Sequence, residues 1–75
     1  MDKLDLHGVK HEDVNKAVIR FIEDRWGKEI DIEIITGYSN QMREIVVSVL
    51  KEYNLEYKVG GWVGVNPAII HACVE

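Results

Sequence analysis

Several features that define particular protein classes are scarce or absent in this chain. The single cysteine, Cys73, excludes an internal disulfide framework and is typical of a reducing compartment. No apolar run approaches the roughly 20 residues of a membrane-spanning helix, and the first residues lack the basic and apolar segments of a signal peptide. One proline and 47% hydrophobic residues exclude a disordered chain. We therefore expect one folded domain over residues 1–75, in the cytoplasm and not in a membrane.

Positive charge is also scarce. Nine Lys and Arg residues stand against 13 Asp and Glu residues, which gives a formal net charge of −4. A general polyanion-binding protein carries the opposite excess. Any contact with nucleic acid must therefore be local.

The spacing of the apolar residues predicts six elements in the order βαβαββ. Apolar and polar residues alternate in the predicted strands, and apolar residues recur at helical spacing in the predicted helices. The predicted strands cover residues 4–7, 30–36, 55–59 and 68–74, and the predicted helices cover about 11–26 and 40–53. Gly27 is expected to end the first helix, and Ser39 or Asn40 to cap the second. Trp26, at helical spacing, is expected in the core or at an interface.

Topology rules convert this order into an α/β fold, more closely an α+β two-layer sandwich. Right-handed crossovers place both helices on one face and make the first three strands parallel, while the last strand is antiparallel to the third. We predict a four-stranded mixed sheet of order 1-2-4-3 with an open second face. Alternation assigns one set to the helix side: Leu4, Leu6, Ile30, Ile32, Ile34, Leu55, Tyr57 and Val59. It assigns the other set to the open side: Asp5, His7, Asp31, Glu33, Glu56 and Lys58.

Asp5 and His7 form the most informative pair in the sequence. On a strand, two residues that are two positions apart share a face, with Cα atoms about 6–7 Å apart. Gly8 follows where the chain must turn. The ends of parallel strands meet at one edge of the sheet, so the loops 7–10, 37–40 and 60–67 are expected to converge there. Because two of these loops enter helices, unpaired backbone N–H groups would be available to a phosphate.

These segments resemble the small MutS-related (Smr) domain. The stretch Leu4–Gly8 before an amphipathic helix, the stretch Ile34–Gly37 before a second helix, and a Gly-Gly segment before a last strand together carry the resemblance. It implies a fold similar to the C-terminal domain of bacterial translation initiation factor three. It also implies association with DNA or RNA, either as an endonuclease or as a binding module.

The resemblance also assigns roles to residues. Asp5 and His7 match the polar pair of the first family motif, Gly8 matches its glycine, and Thr36 and Gly37 match the start of a Thr-Gly-x-Gly motif. Ser39 stands where that motif has its second glycine. We expect serine there to adopt a left-handed conformation at a cost and to alter the loop. This departure puts nuclease activity in doubt more than the fold.

A mechanism follows as a hypothesis. Neutral His7 would take a proton from a 2′-hydroxyl or from water, and Asp5 would orient it or hold a divalent cation, the one cofactor considered. Lys10 and Arg43, near the helix starts, would offset phosphate charge. Two aromatic residues, Tyr38 and Trp62, could stack on bases. The other candidate nucleic-acid contacts are the loop residues Gly8, Thr36, Gly37 and Ser39.

Other interpretations compete with this one. Asp5 and His7 could be only the solvated half of an alternating strand. His7, His11, His71 and Cys73 are zinc-ligand types, but their spacing matches no known signature, so we predict no metal site. Cys73 is expected to be a small hydrophobic residue of the last strand. The second functional hypothesis is an inactive protein-interaction module with a protein partner. The oligomeric state is left unassigned.

Overall fold

The computed structural model describes residues 2–60 and 68–75. In them the chain forms the predicted order βαβαββ, and this α+β architecture is confirmed. The elements are β1 (Asp2–Asp5), α1 (His11–Glu23), β2 (Ile30–Ile35), α2 (Asn40–Glu52), β3 (Tyr57–Val59) and β4 (Ile69–Val74). No helix in the described part of the chain is long and apolar enough to cross a membrane.

The four strands form one mixed sheet of order β1-β2-β4-β3, as predicted. Strand β1 is parallel to β2, and β4 is antiparallel to both of its neighbours. The register places Leu4 opposite Ile34 and Ile34 opposite Ile70. Strands β1 and β2 therefore end side by side, which brings the loops after them to the same edge of the sheet.

One apolar cluster holds the two layers together. It combines the inward faces of both helices with one face of the sheet, so both helices pack on the same side. Full burial of one such aliphatic side chain contributes about 1.5–3 kcal/mol. The fully buried members include Leu6, Val14, Val18, Ile22, Ile32, Ile34, Val46, Leu50 and Ile70.

Two elements end two or three residues earlier than the sequence predicts. Helix α1 stops at Glu23, and the chain then turns, with Gly27 at φ +84°. Trp26 lies in this turn and is 49% exposed, so its expected place in the core is wrong. Strand β1 stops at Asp5 because the backbone N–H of Val9 donates to the carbonyl of Leu6 and closes a turn around His7 and Gly8.

The two sheet faces also differ from strict alternation. Val59, expected on the helix side, is 41% exposed, because β3 is a three-residue edge strand with no outer neighbour among the described residues. His71 lies on the face opposite the helices, between Glu33 and Lys58, yet it is only 2% exposed. Since β4 is a central strand, its neighbours shield it on both sides. The second face is therefore not uniformly open.

Candidate functional site

Backbone hydrogen bonds fix the chain where β1 and β2 end. The N–H of Leu6 donates to the carbonyl of Ile35 at 3.0 Å. The N–H groups of Thr36 and Gly37 both donate to the carbonyl of Ala68, at 2.8 and 3.1 Å. We call residues 7–11 and 36–43 the loop edge. The third predicted loop, 60–67, lies outside the described residues beyond Gly60, as does Trp62.

The Asp5 side chain stabilises the turn that contains His7. Its Oδ1 accepts a hydrogen bond of 2.9 Å from the backbone N–H of His7. Gly8 completes the turn at φ +79°, a left-handed conformation that glycine adopts without strain. Because His7 lies beyond the end of β1, the predicted sharing of one strand face by the two side chains is wrong. The carboxylate instead holds the backbone, and the imidazole is exposed.

Thr36 and Gly37 shape the second loop. Thr36 is 5% exposed, and its hydroxyl lies 3.2 Å from the carbonyl oxygen of Ala68 and 3.0 Å from that of Gly37. Gly37 has φ +67°, which requires glycine-like freedom at this point. The contacts of the Thr36 hydroxyl therefore fix the backbone at the start of the loop. Tyr38, further along the loop, is exposed to solvent.

Ser39 begins helix α2 in an ordinary conformation. Its φ is −75°, and its hydroxyl accepts a hydrogen bond of 3.2 Å from the N–H of Met42. The expected left-handed strain at Ser39 is therefore wrong, because the positive φ falls on Gly37. Ser39 satisfies one of the unpaired donors at the helix start, as a capping serine does.

His11 belongs to the loop edge, although the sequence suggested it only as a zinc-ligand type. Its Nε2 lies 3.5 Å from the Oγ of Ser39, which is 28 residues away along the chain. The sequence feature that could have identified His11 as a site residue is its position at the start of α1, shortly after the turn at Gly8. This contact links the start of α1 to the start of α2.

Charge is distributed unevenly between the two helix starts. The first turn of α1 carries Glu12 and Asp13, whereas the first turn of α2 carries no acidic residue. Lys10 is exposed at the N-cap of α1 and forms no side-chain cap. Arg43 extends from α2, where its Nη1 donates to Oδ1 of Asn40 at 2.7 Å. The α2 start is therefore the half of the edge more favourable to an anion.

Tyr38 is an exposed aromatic residue of the loop edge, with 78% of its surface open to solvent. A shallow groove of about 420 Å³ leads away from the edge between the two helices. Its lining residues are His11, Asn15, Gln41, Glu44, Ile45 and Ser48. The edge therefore combines a solvent-facing aromatic ring with a polar path along α2.

Metal ligation finds no support in the described part of the chain. Within residues 2–60 and 68–75, no three His, Cys, Asp or Glu side chains lie close enough to hold a metal ion. The Cys73 thiol donates to Oδ1 of Asp31 at 3.0 Å. This hydrogen bond, together with burial, raises the pKa of Cys73 from 9.0 to about 11. A thiol with this raised pKa is protonated near neutral pH, which disfavours Cys73 as a nucleophile.

Comparison of the chain with protein-family models, with curated proteins and with solved structures finds no match. Its function is therefore inferred from its own residues.

Proposed function

We propose that this protein is a nucleic-acid-binding domain of Smr type that acts in the cytoplasm and binds DNA or RNA at the loop edge. The observation that carries the proposal is the contact between His11 and Ser39, 3.5 Å apart. It joins the segments that carry the two family-like motifs, which are distant in sequence. The strand order and the single helical layer also support a fold similar to the C-terminal domain of translation initiation factor three.

Binding at this edge does not require a basic protein. Lys10 and Arg43 lie near the two helix starts, where backbone N–H groups and the helix dipoles favour a phosphate. The exposed ring of Tyr38 offers a stacking surface, and stacking of one base on an aromatic ring contributes about 1–3 kcal/mol. Trp62 remains a predicted second stacking residue. Because the net charge of −4 repels a polyanion elsewhere on the surface, we expect nucleic acid to bind only at this local site.

The proposed activity is cleavage of a phosphodiester bond with His7 as general base. On RNA, His7 takes the proton of the 2′-hydroxyl, the 2′-oxygen bonds to phosphorus, and the 5′-oxygen leaves with a proton from solvent. Asp5 stabilises the turn that contains His7, since its Oδ1 accepts a hydrogen bond from the backbone N–H of His7. On DNA, the attacking group is water: His7 takes its proton, the water oxygen bonds to phosphorus, and one bridging ester oxygen leaves with a proton from solvent.

Substitution of His7 tests this chemistry. We expect His7→Gln to lower cleavage of single-stranded RNA or of supercoiled DNA by about 10²–10⁴-fold, because glutamine cannot accept the proton. Oligonucleotide affinity should change little. Cleavage is measured in a nuclease-free preparation, and Lys28→Gln, a change at an exposed residue far from the edge, serves as the control. Unchanged cleavage in the His7 variant contradicts its role as the base.

NMR chemical-shift mapping tests the location and the ligand together. Short RNA, single-stranded DNA and duplex DNA are each added to the labelled protein. We expect shifts confined to the loop edge and to loop 60–67, and the ligand with the largest shifts at equal concentration identifies the preferred substrate. Shifts spread over the sheet or over the far ends of the helices contradict the proposed site.

A protein-interaction module is the second candidate. The net charge of −4 favours it, because a general polyanion-binding protein carries an excess of positive charge. A module of this kind binds no oligonucleotide even at low salt, whereas a nucleic-acid site binds most tightly there.

A further inference from the structure

Two contacts connect the two segments of the loop edge, one before the loops and one after them. Where the strands end, the N–H of Leu6 donates to the carbonyl of Ile35 at 3.0 Å. Where the helices begin, Nε2 of His11 lies 3.5 Å from Oγ of Ser39. His7 directly follows the first contact, and His11 forms the second. The two imidazoles, both exposed, therefore lie at opposite ends of one short loop.

The Ser39 hydroxyl can pair with His11 in both protonation states of the imidazole. The oxygen accepts the N–H of Met42 at 3.2 Å, and it retains its own proton and a second lone pair. It can donate to a neutral imidazole and accept from an imidazolium, by rotation of the hydroxyl alone. The His11 ring can therefore give up and regain a proton without losing this contact.

The start of α2 offers a phosphate a place beside His11. Helix geometry leaves the backbone N–H groups of Asn40 and Gln41 without an intrahelical partner, and the first turn carries no acidic residue. Such groups favour an anion. They directly follow Ser39 in the chain, so a phosphate bound to them would lie next to the His11 ring.

The proposed cleavage of RNA includes a second proton transfer. When the 2′-oxygen bonds to phosphorus, the 5′-oxygen departs as an alkoxide, which is a poor leaving group. An acid positioned to protonate it in the transition state accelerates such a step by about 10²–10⁴-fold. Imidazole is the side chain most suited to this role near neutral pH, and His7 and His11 are the two imidazoles of the loop edge.

We propose that His11 is the general acid of the loop edge and that its substrate is RNA, an inference that rests on the proposed function. His7 takes the proton of the 2′-hydroxyl, and the 2′-oxygen bonds to phosphorus. The bond from phosphorus to the 5′-oxygen breaks, and the His11 imidazolium gives that oxygen its proton. The products are a 2′,3′-cyclic phosphate and a 5′-hydroxyl, and proton exchange with water restores both imidazoles. DNA lacks the 2′-hydroxyl and cannot follow this route.

Two oligonucleotides with different leaving groups test the role of His11. Each is a DNA strand with a single ribonucleotide, and the phosphate after it is bonded either to the natural 5′-oxygen or to a 5′-sulfur. A thiolate leaves without taking a proton, so the sulfur strand does not need the acid. We expect His11→Gln to slow cleavage of the oxygen strand by about 10²–10⁴-fold and to leave the sulfur strand within a few fold of the wild type. His7→Gln should slow both.

Two further variants separate acid catalysis from structural effects. Ser39→Ala removes the partner of the His11 ring and should slow the oxygen strand more than the sulfur strand. Arg20→Gln introduces the same side chain at an exposed residue in the last turn of α1 and should leave both rates unchanged. The amide spectra of all variants report whether the fold is retained.

Three results would overturn the role of His11 and leave the proposed function intact. The first is an unchanged rate of the oxygen strand in His11→Gln, and the second is equal slowing of both strands, which indicates a structural role. The third is cleavage of an all-deoxy strand by the wild type as fast as the strand with the ribonucleotide. Absence of any cleavage by the wild type overturns both His11 as the acid and His7 as the base, and nucleic-acid binding is then decided by the NMR mapping.

Discussion

At the scale of single residues, Asp5 has a structural role that its residue type does not predict. Its carboxylate accepts the N–H of His7 and so fixes the turn between β1 and α1. An amide oxygen at the same place can accept the same hydrogen bond. This hydrogen bond therefore needs an acceptor atom, whereas holding a divalent cation, the other predicted role of Asp5, needs its negative charge.

Two substitutions of Asp5 separate these possibilities. Asp5→Ala should lower the free energy of unfolding by about 1 kcal/mol, the usual contribution of one hydrogen bond, whereas Asp5→Asn should stay within about 0.5 kcal/mol of the wild type. Urea denaturation measures both. Asp5→Asn should also keep cleavage within a few fold. A loss of about 100-fold or more in a folded Asp5→Asn protein would show that the charge itself acts on the substrate or on a cation.

Cys73 and Asp31 provide a pH-dependent prediction. The hydrogen bond to Asp31 and burial raise the pKa of Cys73 from 9.0 to about 11, so the folded state holds the thiol proton more tightly than the unfolded state. This stabilisation is fully present below about pH 9 and is lost as the pH rises through about 11. Asp31→Asn should lower the pKa of the thiol toward 9.0.

Alkylation by iodoacetamide at pH 9 measures the thiolate directly. We expect Asp31→Asn to react roughly tenfold faster than the wild type, because the thiolate is the reactive form. Asp24→Asn, a carboxylate change at the end of α1, should have no effect. Equal rates in the wild type and Asp31→Asn would show that Asp31 does not hold the thiol proton.

At the scale of elements, the start of α2 determines how the loop edge is built. Gly37 takes the positive φ of 67°, and Ser39, two residues later, caps the helix with φ −75°. The cap and the contact with His11 use the same hydroxyl. Serine at this position is therefore compatible with an unstrained loop, and it adds an interaction that glycine lacks.

Replacement of Ser39 tests this arrangement by the sign of the change. Ser39→Ala should lower the free energy of unfolding by about 1 kcal/mol, and Ser39→Gly by a few tenths of a kcal/mol, because glycine is tolerated at an N-cap. Ser39→Asp keeps the cap and should be close to the wild type. If Ser39→Gly instead stabilises the protein in thermal or urea unfolding, the residue is strained and the cap is not its role.

At the scale of the whole molecule, the fold brings distant segments to one edge. Parallel pairing of β1 with β2 aligns their ends, and the packing of both helices on one face directs the two helix starts to the same place. The opposite end gathers both helix C-termini, where Trp26 packs on Tyr53.

The sequence predicts this architecture well because alternating and helical spacing are strong signals. Ile30–Ile35 and Asn40–Glu52 begin where the pattern places them. It predicts less about Asp5, whose bond to the His7 backbone arises only after the turn forms. The sequence does not predict the burial of His71 either, because that burial depends on the pairing of β4 with β2 and β3. Periodicity identifies faces, whereas hydrogen-bond partners and shielding depend on tertiary contacts.

The most direct test of the central claim, nucleic-acid binding at the loop edge, is the salt dependence of affinity for a short single-stranded RNA, measured by fluorescence anisotropy. Wild-type affinity should fall as salt rises. Lys10→Ala with Arg43→Ala should weaken binding and reduce the slope of log K against log salt by about 1.4, for two lost phosphate contacts. Lys28→Ala, at the far end of α1, should match the wild type. No binding at low salt, or equal weakening by Lys28→Ala, would contradict the claim.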